Sequence, residues 1–455
     1  ERDTAHRQEQ QAQFERNRAQ QVTDFLINLF QSADPAKAQG KDISARELLQ
    51  KGAHQLETDL GQQPLMRAAM LAAIADIYIE LDDLDLAELS ADQASRLRHD
   101  VQPTDTGALA ASLRQTARLA MLRGKAKQAL ARIDQAITLD AAADTRTKVA
   151  ALAIRAQAME GAGELKEAVT VWREALVLAL ADTDQDDKSR ALRIAFNLAR
   201  SLRALGNLPE AEHVIRTNLA ASDAKFSDDA HAIRASLTLE LAVIARNRGD
   251  LDEANTLAQQ GYEGFKRTYG VESSQVATAA NTLATISQAR GDLAGARQLF
   301  QHSLAIKRKV YGSDNPRVAS AEYNLGLLLL RLDDSFAAVP HLQRAVEIGS
   351  QTLPPSHSNL ANYRLGYGSA LRDRGRFKEA RAELALALHT FKEIDAPQGI
   401  DVALSQGELA CSTRPSGRHD TSELASLKQA AARLRKEAPD DPQSKRIFEC
   451  LQRWQ

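Results

Sequence analysis

The phrase Gly-x-Leu-x-x-Ala returns along this chain at intervals of 39 to 43 residues. It stands as GELKEA (163–168), GNLPEA (206–211), GDLDEA (249–254) and GDLAGA (291–296), and with Phe as GRFKEA (375–380). Looser copies are DDLDLA (82–87), GKAKQA (124–129) and DDSFAA (333–338). The closing alanines are Ala87, Ala129, Ala168, Ala211, Ala254, Ala296, Ala338 and Ala380, spaced by 42, 39, 43, 43, 42, 42 and 42. A period of this length means stacked supersecondary units, each unable to bury its apolar face alone.

The register extends beyond the phrase. Twelve residues before the markers stand Ala75, Ala117, Ala156, Ala199, Ala242, Ala284, Gly326 and Gly368, all small. Seven residues after them stand Ala94, Ala136, Ala175, Asn218, Gly261, Ser303, Ala345 and Ala387, again small. Four residues after them the side chain is mostly large and apolar: Ile133, Trp172, Ile215, Phe300, Leu342 and Leu384. Small residues on facing helices let two backbones approach, and large ones fill the gap to the next pair. The glycine five residues before the marker suits a left-handed turn that ends the first helix. Each unit therefore reads as a helix–turn–helix hairpin.

Composition narrows the class further. Aromatics are only 4% of the 455 residues and alanine is abundant, which argues against a sandwich, barrel or propeller. The greasiest stretch, LGLLLL (325–330), is far short of the ~20 apolar residues needed to span a bilayer. A net charge of −2 gives no global reason to expect nucleic acid as a partner. The chain starts at Glu1 with no signal peptide after it, which reads as a fragment of something longer.

The series of small residues, turn glycines and marker alanines resembles the tetratricopeptide repeat, in the long-helix variety of kinesin light chains. A generic α-helical array of another family is the alternative. The resemblance implies an all-α, right-handed superhelical solenoid of eight hairpins with capping helices. On that reading residues 1–61 hold a juxtamembrane-like helix and an atypical first helix pair, 62–395 the eight repeats, and 396–455 a helix pair and a capping helix. The predicted helices outside the repeats are 20–31, 44–60, 398–411, 420–436 and 442–453. The second opens on a capping box of Ser44 and Glu47.

Residues 20–68 carry a second resemblance. Phe25, Leu26, Leu29, Phe30, Asp34, Pro35, Ser44, Ala45, Arg46, Glu47, Leu48, Leu49, Gln63, Pro64, Arg67 and Ala68 are similar to a segment of bacterial transmembrane serine/threonine protein kinases. In that family the segment lies between the membrane span and a tetratricopeptide array. Related segments also follow other output domains, such as winged-helix regulators. The resemblance implies a sensor or interaction half of a membrane kinase, on the periplasmic side of the inner membrane and tethered through an upstream segment. A freestanding cytoplasmic scaffold or adaptor is the alternative.

No catalytic chemistry is legible. The kinase loop signatures are absent, as is a GxSxG elbow. LGYGSA (365–370) has two of three nucleotide-loop glycines, but both fall at the small positions of a repeat helix. DTDQDD (182–187) imitates the start of a calcium loop, yet position six is Asp187 and position twelve Arg193. The histidines have no metal-ligand spacing, so no metal and no cofactor is expected.

The first helix of each repeat is expected to line the inner wall, at 18, 15, 11 and 8 residues before each marker. These positions give Arg114, Arg118, Arg193, Arg200, Arg203 and Arg246, then Asn281, Tyr323, Asn362 and Arg372. Arginine forks take carboxylates in bidentate fashion, so an acidic peptide or an anionic polymer fits the first set. By the resemblance, the Asn and Tyr positions imply a hold on peptide backbone. The alternative is that the arginines pair with Asp76, Glu160 and Glu240 or are solvated. A protein or peptide is thus the expected partner, and a homodimer is compatible. Cys411 and Cys450 are the only cysteines, which leaves two readings: a disulfide that pins the last helix, or two buried thiols.

Overall fold

A computed structural model describes residues 45–81, 83–181, 188–221, 228–394, 399–412 and 421–454. Every regular element among them is an α-helix. The expected helix at 20–31, Ser44 of the capping box and the acidic loop 182–187 lie outside the described residues. The chain divides into two compact units, Glu1–Ser222 and Asp223–Gln455, each a right-handed stack of helix pairs.

In the first unit α1 (Ala45–Asp59) precedes four pairs: α2 (Pro64–Glu80) with α3 (Leu84–Val101), α4 (Thr106–Leu122) with α5 (Ala126–Leu139), α6 (Thr145–Gly161) with α7 (Leu165–Ala181), and α8 (Lys188–Ala204) with α9 (Leu208–Ala221). The second unit holds α10 (Asp228–Arg248) with α11 (Leu251–Tyr269), α12 (Ser274–Ala289) with α13 (Leu293–Tyr311), α14 (Pro316–Arg331) with α15 (Ser335–Thr352), and α16 (Ser358–Asp373) with α17 (Phe377–Ile394). It closes with α18 (Ile400–Cys411), α19 (Thr421–Glu437) and α20 (Pro442–Trp454).

One turn recurs in every pair. A backbone N–H just past each first helix reaches five positions back: Lys125 donates to the Ala120 carbonyl at 2.8 Å, Asn207 to Leu202 at 2.9 Å and Asp292 to Ser287 at 2.9 Å. That bond needs a residue in the left-handed region between helices, and glycine takes it at 124, 163, 206, 249, 291 and 375 with φ of 71–93°. The next residue then opens the second helix. Asp250 and Asp292 cap the N–H groups of Glu253 and Gly295 at 3.1 and 2.9 Å, and Asp334 caps Ala337 at 3.0 Å. Two residues thus end one helix and start the next.

The turn brings the small positions face to face. All eight marker alanines are fully buried, as are the six alanines twelve residues earlier. Where the earlier residue is glycine, the space is already taken. A Cβ at Gly326 would lie 2.5 Å from Leu342 Cγ, and one at Gly368 would lie 2.5 Å from Leu384 Cγ. Between hairpins, Trp172 is fully buried and donates its indole N–H to Glu160 at 2.7 Å; Ser201 of the next pair bonds the same carboxylate.

The C-terminal end is closed by a different means. Cys411 ends α18, Cys450 lies on α20, and their sulfurs are bonded with Cα atoms 6.2 Å apart. Beside them Ile447 packs so tightly over Gly407 that a Cβ there would sit 2.7 Å from its Cδ1. Replacing both cysteines by serine is expected to destabilise α20 by roughly 3–4 kcal/mol, from loop closure alone. Faster amide exchange confined to α18–α20 would show it; uniform exchange would count against it.

Asp333 is the one described non-glycine residue at positive φ, 56°, and it stands where six other turns have glycine. An L side chain is strained there, though Asp tolerates it better than most. Asp333→Gly is therefore expected to stabilise the fold by about 0.5–1 kcal/mol, read as a higher urea midpoint. An unchanged or lower midpoint would refute that.

A candidate peptide-binding face on the first helices

Within each unit the first helices pack on one another as well as on their partners: α2 on α4, α4 on α6, α10 on α12, α14 on α16. This crowding places them on the inner side of each stack. The ten candidate residues all lie on these first helices, with different fates.

In the first unit two arginines are engaged. Arg114 meets Asp140 at 3.2 Å with only 19% of its side chain exposed, and Arg118 meets Glu80 at 3.1 Å and Asp76 at 4.0 Å. Arg203 is half-buried and bonded. Arg193 and Arg200 on α8 differ: both are exposed, and neither makes an ion pair among the described residues. Arg200 lies over the Phe196 ring at 5.7 Å. The result is two guanidinium groups two helical turns apart with an aromatic ring between them. Phe196 was legible in the register, fifteen residues before Ala211, the position that Tyr323 takes in the seventh hairpin.

The second unit presents a polar ladder. Arg246 donates to Thr285 Oγ1 at 3.3 Å, and Asn324 donates its amide to Asn281 Oδ1 at 2.8 Å. Tyr323 packs on Tyr363 with centroids 5.1 Å apart, and the Tyr363 hydroxyl lies 3.0 Å from Ser320 Oγ. Burial pushes the Tyr323 phenol well above its ordinary range, so it stays a neutral hydrogen-bonding group. Asn362 is half-buried on α16. Arg372 sits apart from this ladder, in an ion-pair cluster with Asp373 and the fully buried Glu408, while Arg446 joins from α20.

Of the acids expected beside the arginines, Asp76 meets Arg118. Glu160 is occupied by Trp172 and Ser201, and Glu240 is buried and bonded. No group of three metal-ligating side chains occurs among the described residues.

Comparison with known proteins agrees with this architecture. Tetratricopeptide repeat models match residues 192–217 and the overlapping windows 233–309, 275–351 and 317–393. No curated protein matches. Among solved structures, the apo form of the quorum sensor NprR from B. thuringiensis is 15% identical, with 84% of this chain and 99% of that one aligned at a TM-score of 0.50. BtubC (BKLC) from P. vanneervenii is 21% identical over 56% of this chain and 96% of that one, at 0.45. A tetratricopeptide repeat protein from Parabacteroides merdae is 17% identical over 62% and 93%, at 0.43. The first of these supports the solenoid fold alone.

These findings correct the second resemblance. The matches fall on the repeats and on repeat solenoids, not on a transmembrane serine/threonine kinase. No described helix is long and apolar enough to cross a membrane. Much of the 20–68 segment lies outside the described residues, and its common features are helix starts and apolar turns that many solenoid entrances need. The kinase, membrane-tethered and periplasmic expectations rested on that segment and are withdrawn.

Proposed function

We propose that this tetratricopeptide-type interaction domain is a scaffold or adaptor that holds an extended, acidic protein segment along its first helices. The observation that carries the reading is the Arg193–Phe196–Arg200 strip on α8, whose two cations make no ion pair among the described residues. Exposed guanidinium groups in a fixed row suit carboxylates in bidentate fashion, and the ring between them suits an apolar side chain. The Asn281–Asn324 pair supports a similar reading in the second unit. Its one internal bond leaves the Asn281 nitrogen and the Asn324 oxygen without a protein partner among the described residues, a donor and an acceptor for peptide backbone.

Panning a random peptide library against the full chain tests this. Selected peptides are expected to be enriched in Asp and Glu with an apolar residue between them. Arg193→Glu with Arg200→Glu should weaken their binding by about 2 kcal/mol or more, some thirtyfold, with helical content unchanged. Peptides without acidic enrichment, or undiminished binding to the double variant, would exclude the α8 strip.

A further inference from the structure

Lys307 departs from the other hairpins of the second unit, though not from the first unit, where Arg98 and Asp140 stand at the same register. Eleven residues after the marker alanine, α11 has Phe265 and α17 has Phe391, both buried, and α15 has the buried Gly349. In α13 the same position is a lysine, half-buried, with no ion pair among the described residues. Its charged neighbour is a second cation, Arg317 in the first turn of α14, stacked on the Tyr311 ring at 4.7 Å. Burial first, and Arg317 second, pull the Lys307 ammonium below its ordinary range. Two cations on one cleft repel each other, and neither makes an ion pair among the described residues.

They share a cleft of about 500 Å³ between the starts of α12 and α14, with the end of α13 as its floor. The remaining lining is neutral and polar: the hydroxyls of Ser274, Thr278 and Ser320 and the amide of Gln275. No carboxylate lines it. An open cleft with two positive charges and hydroxyl and amide groups, and no acid among its described lining residues, has the chemistry of an oxyanion site. A monoanion would neutralise one of the two cations; a dianion neutralises both.

We propose that this cleft binds a phosphoryl group, with Lys307 and Arg317 as its charge partners. The site lies on a different unit from the α8 strip and stands or falls without it. The phosphoryl group could arrive as free phosphate or on a modified partner segment, and the two share the same recognition.

The test is isothermal titration of the full chain with inorganic phosphate at constant ionic strength, with acetate as the monoanion control. Saturable binding at one site per chain is expected, at least tenfold weaker in Lys307→Gln and in Arg317→Gln. Lys307→Met serves as the folding control. Because two other hairpins of its unit bury a Phe at this position, it should melt at or above the wild-type temperature and show no rise on adding phosphate. A phosphoserine peptide binding more tightly than phosphate would identify a modified segment as the source; equal affinity would identify the free ion. Absence of saturable phosphate binding, equal affinity for acetate, or full affinity in the Lys307 and Arg317 variants would overturn the proposal.

Discussion

A hydrogen bond from the residue after each turn glycine back to the last turn of the first helix governs this protein. It forces a left-handed residue between helices, reverses the chain within two residues, and presents the capping position for the next helix. Reversal that tight lets the two helices of a pair approach only if their facing side chains are small. The alanines and glycines on the facing positions follow from that, and the leucines and aromatics four residues past the marker fill what remains. Each hairpin then exposes an apolar face that only a neighbour can cover, so the stack continues until something else ends it.

This logic explains what the sequence disclosed. Turn and contact positions recur because the same local geometry is solved repeatedly, and a period is visible without knowing any partner. Asp333 was legible as a departure from the turn pattern for the same reason. The relation between Cys411 and Cys450 was not, since helix positions do not report the distance between two Cα atoms on α18 and α20. Nor was Glu160, which the register places on the inner wall: a buried indole one hairpin element away needs an acceptor, and takes this one. The segment at 20–68 misled because it lacks a period, so nothing internal to the chain could check it.

Charge is spent unevenly along the two stacks. Glu322 is buried under Arg308 and His341, and Glu408 under Arg372, so these pairs belong to the packing between hairpins. Removing one partner of such a pair strands the other in a poorly solvated place, whereas an exposed pair such as Arg118–Glu80 contributes little. The informative cations are those that neither condition covers. Arg193 and Arg200 face solvent with no ion pair among the described residues, and Lys307 occupies a place where two other hairpins of its unit bury a Phe. A repeat array makes such exceptions readable, because each neighbour supplies the control.

The contact between Gly326 and Leu342, and its copy between Gly368 and Leu384, has a consequence for how such a chain can change. In other hairpins the same two places hold Ala199 with Ile215, Ala156 with Trp172 and Ala284 with Phe300. A Cβ added at Gly326 or Gly368 runs into the leucine already there, so these positions do not drift alone. Whole hairpins, however, carry both halves of that contact together. Variation by duplication, exchange or loss of complete hairpins meets no such obstacle, and the module that evolution or an engineer can shuffle is the pair of helices rather than the residue.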